Sequence, residues 1–516
     1  MNTRAFVTAV VLAAAASTLA SAAGSAESSD LAKRTFQNAE QLMHEGKTDQ
    51  ALKAYQQIIQ SFSESSLVDD ALLRVGSFHY PTLKIAELGS VSAAEQEAAR
   101  PSFELIRDRH PQSDSAPEAF YKLGLLGLEP DSARKNLDEA YASFYSVVNV
   151  YPESDWVPSA LLGAGEAEFE KRNYDRAILS LERSLEGAPH GPVAAESNYL
   201  LGLANVRMGD FVRAAEVFQA CRIEDEKSST ASRALNWITL VYKLRLIPAA
   251  GAAVDYTPDS GFVPRLPAGE DFRGEIGLAV SPAAEILVAD PRRAGLFVFA
   301  EDGTKIRNEP MEGARRVAVD AMEKIVVASE TEIRIGAEGF PAGRKAGTSV
   351  RRIEAPAGVW RSSAGQTFIL DTKEGEFLVF GADPTDPKVV NRDKDAGTRL
   401  EMMAAGPEDR IFLFDTRQKQ ILVLENGKVR VFKAQATPPV IEDPVDMAVD
   451  ALGDLYVADA RQKSIFIIGP DGKKLGRIAP PAGTAAELTD PAALAVGPKG
   501  EVYVYDARKR TILRFR

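Results

Sequence analysis

The sequence predicts a multidomain chain of α + all-β class: an N-terminal α-solenoid of helical repeats followed by a six-bladed β-propeller. Three observations predict it. The first half is rich in Ala, Leu and Glu, with apolar residues at helical spacing and self-similar two-helix units. The second half repeats a strand, an aspartate and a basic turn, as in "DLYVADARQKSIFI" from Asp454 and "EVYVYDARKRTILR" from Glu501. Between them, "LIPAAGAAVDYTPDSG" at 246–261 breaks the helical pattern with Pro, Gly and Ala.

The bulk numbers agree. A chain of 516 residues is long enough for two or more domains, each with a full core. Hydrophobic content of 45% and charged content of 26% are those of a soluble globular protein. A formal net charge of −12 disfavours a nucleic-acid partner. From residue 250 onward there are 37 Lys+Arg and 40 Asp+Glu, against totals of 61 and 73, which leaves 24 against 33 before it. The helical half is therefore the acidic one. Cys221 is the only cysteine, so no intrachain disulfide and no Cys-rich metal site can form.

At the start of the chain, Arg4, the apolar run "AFVTAVVLAAAASTLA" and the A-x-A site Ala20-Ser21-Ala22 read as a cleavable secretory signal over residues 1–23. No cysteine beside the cleavage site offers a lipid anchor, and no later run is long and apolar enough to cross a bilayer. The expected location is periplasmic or secreted, with no membrane span after cleavage.

Residues 30–247 are read as the helical repeats. The clearest unit is "YLLGLANVRMGDFVRAAEVFQACRI", in which Gly202 allows close helix approach, Gly209 opens the turn, Ala214 is the small contact residue and Phe218 fills the groove. Cys221 falls one helical turn later, where a small residue is wanted. A second unit carries Gly165, Tyr174, Ala177, Leu181 and Pro189; others carry Gly46, Ala51 and Tyr55, and Gly124, Ala140, Phe144 and Pro152. Residues 87–94 look like an insertion that splits one repeat. In "RHPQSDSA", "VYPESDWV" and "GAPHGPVA" a proline is expected to end one helix and Ser or Asp to cap the next. These units resemble tetratricopeptide (TPR) repeats, and in particular the TPR domains of bacterial envelope assembly factors. The resemblance implies a concave groove, made by the first helix of each pair, that binds peptides or partner proteins. His44, His79, His110 and His190 all lie in this half, singly, without the His-x-x-x-His spacing of a metal helix.

After a linker at 248–260, residues 261–516 are read as six blades. Their first strands begin "GLAV" at Gly277, "RVAV" at Arg316, "GVWR" at Gly358, "MAAG" at Met403, "DMAV" at Asp446 and "ALAV" at Ala493. The second strands end in Asp290, Ser329, Asp371, Asp415, Asp459 and Asp506, between 39 and 47 residues apart, the length of a four-stranded blade. The chain stops in the third strand of the last blade, so its fourth must come from upstream; "GFVPRL" at 261–266 is the candidate. "GDLYVADARQKSIFII" at 453–468 and "GEVYVYDARKRTILRF" at 500–515 resemble NHL-repeat β-propellers, a resemblance that implies the fold and leaves function open.

The recurring aspartate reads as structural: a short carboxylate that accepts backbone N–H groups of the turn behind it. The basic residues of those turns are Arg292, Arg293, Lys373, Arg417, Lys419, Arg461, Lys463, Arg508, Lys509 and Arg510, while blade two is acidic there ("ASETEIRI"). They would line one rim as an interrupted basic crown for an acidic protein, an envelope glycan or another anionic ligand. The propeller contains no histidine, which argues against the histidine-ligated zinc of the lyases that NHL propellers resemble and against a Ser-His-Asp set. No catalytic residue, cofactor site or metal ligand is assigned. The reading is a non-enzymatic exported scaffold that binds partner proteins through the TPR groove and the propeller face, in an envelope or secretion-related assembly. The alternative is a calcium-dependent hydrolase or lyase, built on central acidic residues, with the helical half recruiting substrate.

Overall fold

The computed structural model describes residues 29–516 apart from 131–133, 250–253, 267–269, 294, 321–322, 347–348, 382–386, 393–396, 426 and 433–440, so the predicted export signal and part of the predicted linker lie outside the described residues. The chain forms N-terminal helical repeats and a C-terminal six-bladed β-propeller. It divides into two compact units, residues 1–208 and 209–516. No helix among the described residues is long and apolar enough to cross a membrane.

In the first unit a helix over residues 29–44 is followed by Thr48–Ser61, Val68–His79, Ala93–Arg109, Ala116–Leu128, Leu137–Val150, Val157–Glu170, Tyr174–Gly187 and Pro192–Met208. Successive helices pack on one another because their small residues let large ones in. Phe144 is fully buried between Gly124 and Gly163, where an added Cβ would come within 2.5 and 2.4 Å of its ring. Leu181 fills the equivalent space against Gly165, at 2.7 Å from such a Cβ. Replacing Gly163 by alanine should therefore overpack the core and cost about 1–3 kcal/mol, visible as a lower denaturation midpoint of the helical signal.

One expectation for this unit changes on the structure. The proline-marked turns do not use Ser or Asp as helix caps: the helices Ala116–Leu128 and Val157–Glu170 start at Ser115 and Trp156 without a side-chain cap. Ser154 instead accepts the Trp156 N–H inside the turn at 3.2 Å, and Ser115 donates to Asp70 at 2.9 Å. The insertion is also pinned from beneath. Buried Lys122 donates Nζ to the carbonyls of Tyr80 (3.2 Å) and Thr82 (2.6 Å), and burial pushes its ammonium down to about 8. Glu129 accepts from Tyr80 OH at 2.6 Å and from Gly89 N–H at 2.8 Å.

The second unit opens with the helices Phe211–Glu224 and Ser229–Val241, the latter running on through a π-turn at Tyr242–Leu246. Helical structure thus reaches the predicted limit of the repeats, with its last pair belonging to the propeller's unit. Phe218 stacks on Trp237 at 5.9 Å, and Cys221 is buried.

Six antiparallel sheets then follow, each a meander in chain order. Their innermost strands are Gly277–Val280, Arg316–Val319, Pro356–Arg361, Leu400–Ala405, Pro444–Val449 and Pro491–Val496. Each touches the next and the last touches the first, so the ring closes. The middle strands are buried on both faces, as in Leu455–Asp459 and Ser464–Ile468, because neighbouring blades cover them. An additional hairpin, Gly343–Ala346 with Ser349–Arg352, lies between the second and third blades.

The last blade has three strands of its own, ending in Thr511–Phe515. Its edge is completed by residues 257–259, upstream of the predicted 261–266. Thr257 and Arg516 exchange N–H···O bonds at 2.9 Å, and Asp259 N–H donates to Arg514 O at 2.8 Å. Proline at 258 is tolerated here because a bridging residue on an outer strand needs no N–H toward the ladder. The more apolar segment 261–266 serves the core instead: buried Phe262 meets Tyr503 edge-on at 5.3 Å, and Arg265 N–H donates to Gly303 O at 2.8 Å.

Candidate functional site

The recurring aspartate does more than cap its turn. Asp415 Oδ1 accepts the N–H of Arg417 (3.0 Å) and Gln418 (3.2 Å), and also that of Arg399 (3.0 Å), which leads into the innermost strand of the same blade. Asp459 joins Gln462 (2.9 Å) to Glu442 (2.7 Å), and Asp371 joins Lys373 (3.1 Å) to Glu354 and Ala355 (both 3.2 Å). Burial works against the charge of Asp506, yet bonds from Lys509, Thr489 and Asp490 hold its carboxyl below the usual range. In blade two the Ser329 hydroxyl takes over, accepting from Thr331 (3.2 Å) and Glu332 (2.9 Å). In blades three to six the aspartate thereby fixes its basic turn to the segment feeding the channel wall, whereas Asp290 and Ser329 bond within their own turns.

The ten basic residues of these turns divide into two groups. Arg293 pairs with Glu270 at 3.1 Å, Arg461 with Glu442 at 3.8 Å, Lys463 with Glu487 at 2.9 Å and Arg510 with Asp271 at 2.9 Å. Lys509 donates to the carbonyls of Ala485 and Glu487, both at 2.6 Å. Arg292, Lys373, Arg417, Lys419 and Arg508 are exposed and make no ion pair with a described residue. Lys419, Lys463 and Arg510 each sit at positive φ, 53°, 47° and 56°, at the last position of the turn, in the left-handed region.

The channel beneath this crown has a volume of about 160 Å³ and is walled by the six innermost strands. Cross-strand register places Gly277, Arg316, Gly358, Met402, Asp446 and Ala493 at one level, each opposite the residue just before the recurring turn position. Arg316 and Asp446 are thus three blades apart, facing one another near the crown end. Arg316 donates Nε to Ala357 O at 2.9 Å and Nη1 to Ile276 O at 3.3 Å, which anchors it to both neighbouring blades. Asp446 accepts the Leu494 N–H at 2.8 Å. Burial pushes its carboxyl up, with the Arg316 charge acting against that shift. The other lining residues are mainly Ala, Val and Met, with Trp360 deeper in.

Asp446 is the one carboxylate among the described channel-lining residues, whereas a calcium site collects six to eight oxygens from several groups. Among the described residues, the three carboxylates close enough together to share a cation are Asp69, Asp70 and Asp114, in the helical unit.

The opposite face carries the turns between first and second strands, and the helix Ser229–Val241 with its π-turn lies across four of them. Arg233 pairs with Glu323 at 3.4 Å, and Asn236 reaches Pro282 O at 3.4 Å. Lys243 reaches Gly500 O at 3.3 Å, and Arg245 grips Asp454 with two bonds of 2.8 and 2.7 Å. The crown face is the one this helix leaves open. Sequence reasoning quoted the channel strands without assigning Arg316 or Asp446. The available signal was that their first residues run Gly, Arg, Gly, Met, Asp, Ala, with one cation and one anion three blades apart.

Models of the tetratricopeptide repeat match residues 29–65, 128–192 and 162–229. Against curated protein sequences the chain has no match. Among solved structures, a streptogramin B lyase is 12% identical, with a TM-score of 0.36, over 51% of this chain and 97% of its own. The calcium-binding protein regucalcin from Agrobacterium tumefaciens is 14% identical, with a TM-score of 0.36, over 49% and 92%. A luciferin-regenerating enzyme is 14% identical, with a TM-score of 0.34, over 50% and 95%. At such identities the likeness concerns fold and not chemistry.

Proposed function

We propose that this chain is an exported, non-enzymatic adaptor in an envelope or secretion-related assembly. The TPR matches give it repeats of a protein-interaction kind, and a protein or peptide segment is the ligand such repeats take. The propeller supplies a second surface, and the observation that carries this is the set of five exposed cations without an ion pair to a described residue, Arg292, Lys373, Arg417, Lys419 and Arg508, on the crown face that the docked helix leaves open. Their spread over four blades suits a broad acidic partner surface or an anionic glycan better than a small ligand.

The experiment is capture from envelope extract with the full chain and with a variant carrying all five cations as glutamate. A partner that is retained by the wild type, lost from the variant and weakened by salt supports the crown as an interface. Equal retention by both chains removes the crown from the proposal. The calcium-dependent hydrolase or lyase reading has a single channel carboxylate among the described residues to build on. Stoichiometric calcium bound to the propeller, without a protein partner, would favour that reading instead.

A further inference from the structure

We infer that the crown end of the propeller channel is a binding site for a small zwitterion: a free α-amino acid with a compact apolar side chain, its carboxylate on Arg316 and its ammonium on Asp446. Four observations carry this, and none depends on the adaptor reading. The two charges share one level of the channel from opposite blades and form no ion pair with each other or with any described side chain. An uncompensated, partly buried charge is costly, so two opposite charges separated by a gap are a feature that a ligand bearing both signs would satisfy.

Arg316 is also oriented in advance. Two of its five N–H donors are used on the carbonyls of Ala357 and Ile276, which fixes the guanidinium plane and leaves three donors for a carboxylate. Glycine flanks it on both sides. At Gly277 a Cβ would meet Arg315 O at 2.6 Å and Arg316 Cα at 3.0 Å, so that strand presses close to Arg316, and neither Gly277 nor Gly358 lends a side chain that could cover it. The size fits as well. A channel of about 160 Å³ compares with the roughly 150 Å³ that accepts benzene, which suits an amino acid and excludes a folded peptide. The Ala, Val and Met walls supply apolar contact for a short aliphatic side chain.

The test uses the purified full chain and L-valine as probe, with acetate and isobutylamine as half-ligands bearing one charge each. Calorimetry should show saturable binding of L-valine at one site per chain, and each half-ligand should bind at least about tenfold more weakly. Emission from Trp360 should change with the same midpoint, and that change should vanish in Trp360→Phe. Arg316→Gln and Asp446→Asn should each weaken L-valine by at least about tenfold while the chain still melts cooperatively. The half-ligand comparison is made on the wild type, so it decides the matter even if a variant misfolds. Absence of saturable L-valine binding overturns the proposal. So does acetate binding as tightly as L-valine with Asp446→Asn indifferent, which would leave a simple anion site on Arg316.

Discussion

A chain ending at residue 510 should lose its propeller while keeping its helical signal. The deletion removes the strand Thr511–Phe515, which pairs along its whole length with Val502–Asp506, and with it the bonds to residues 257–259 that close the ring. Phe515 and Ile512, both buried, leave the core. Two sheet edges are then exposed at once, and a ring held by neighbour contacts has no other way to close. Limited proteolysis should show the loss of a propeller-sized resistant core, and a truncated chain that melts as cooperatively as the full one would contradict the account.

The point variant Arg514→Ala isolates the chemistry of that closure. Arg514 is 2% exposed, pairs with Asp259 at 2.6 Å, donates to Glu301 O at 2.6 Å and lies 5.1 Å over the Phe262 ring. Removing it leaves Asp259 partly buried with only the half-exposed Arg516, so the cost should be about 3–5 kcal/mol. Arg516→Ala removes a cation that is 52% exposed and should cost under about 1 kcal/mol. Denaturant midpoints of the two variants should therefore differ widely, although both residues contact the same carboxylate.

What could be read from the sequence was what repeats. The aspartate and its basic turn recur at blade spacing, so both the ring and the turn geometry were legible before the structure. What occurs once was not. Arg316 and Asp446 interrupt otherwise equivalent strands, and comparing blades for their likeness passes over the positions where they differ. The closing segment escaped because Pro258 made residues 257–259 look unlike a strand, while the apolar 261–266 looked like one. Lys122 sits in a helical pattern as an ordinary surface lysine would, and only the fold brings the Tyr80 and Thr82 carbonyls to it. The grip of Arg245 on Asp454 spans 209 residues of sequence, and no local pattern announces a contact of that range.

That grip gives the second large expected effect. Arg245→Ala should destabilise the propeller's unit by about 3–5 kcal/mol, because Asp454, with a fully buried side chain, would lose both bonds of its guanidinium partner. Beside it lies Asp450, whose carboxylate accepts N–H from Leu452 and Asp454, both at 2.9 Å, and the Tyr456 hydroxyl at 3.2 Å. Burial, and then the neighbouring charge of Asp454, push the Asp450 carboxyl well above its ordinary range, while the Asp454 N–H, Arg245 and the Leu452 N–H pull the other way. A carboxyl whose folded value exceeds its unfolded value of about 3.9 binds its proton more tightly in the folded state. Its stabilising contribution is complete below the unfolded value and is lost as pH rises through the folded one. The wild type should therefore gain stability from this site as pH falls from neutral toward 4, and Asp450→Asn, which keeps an acceptor for both N–H groups and carries no charge, should lack that gain. At neutral pH the asparagine variant should unfold at an equal or higher denaturant concentration than the wild type. Carboxylates elsewhere contribute the same slope to both chains, so the difference between the two pH profiles reads the buried pair alone, and superimposable profiles would show that Asp450 is ionised at no cost in the fold.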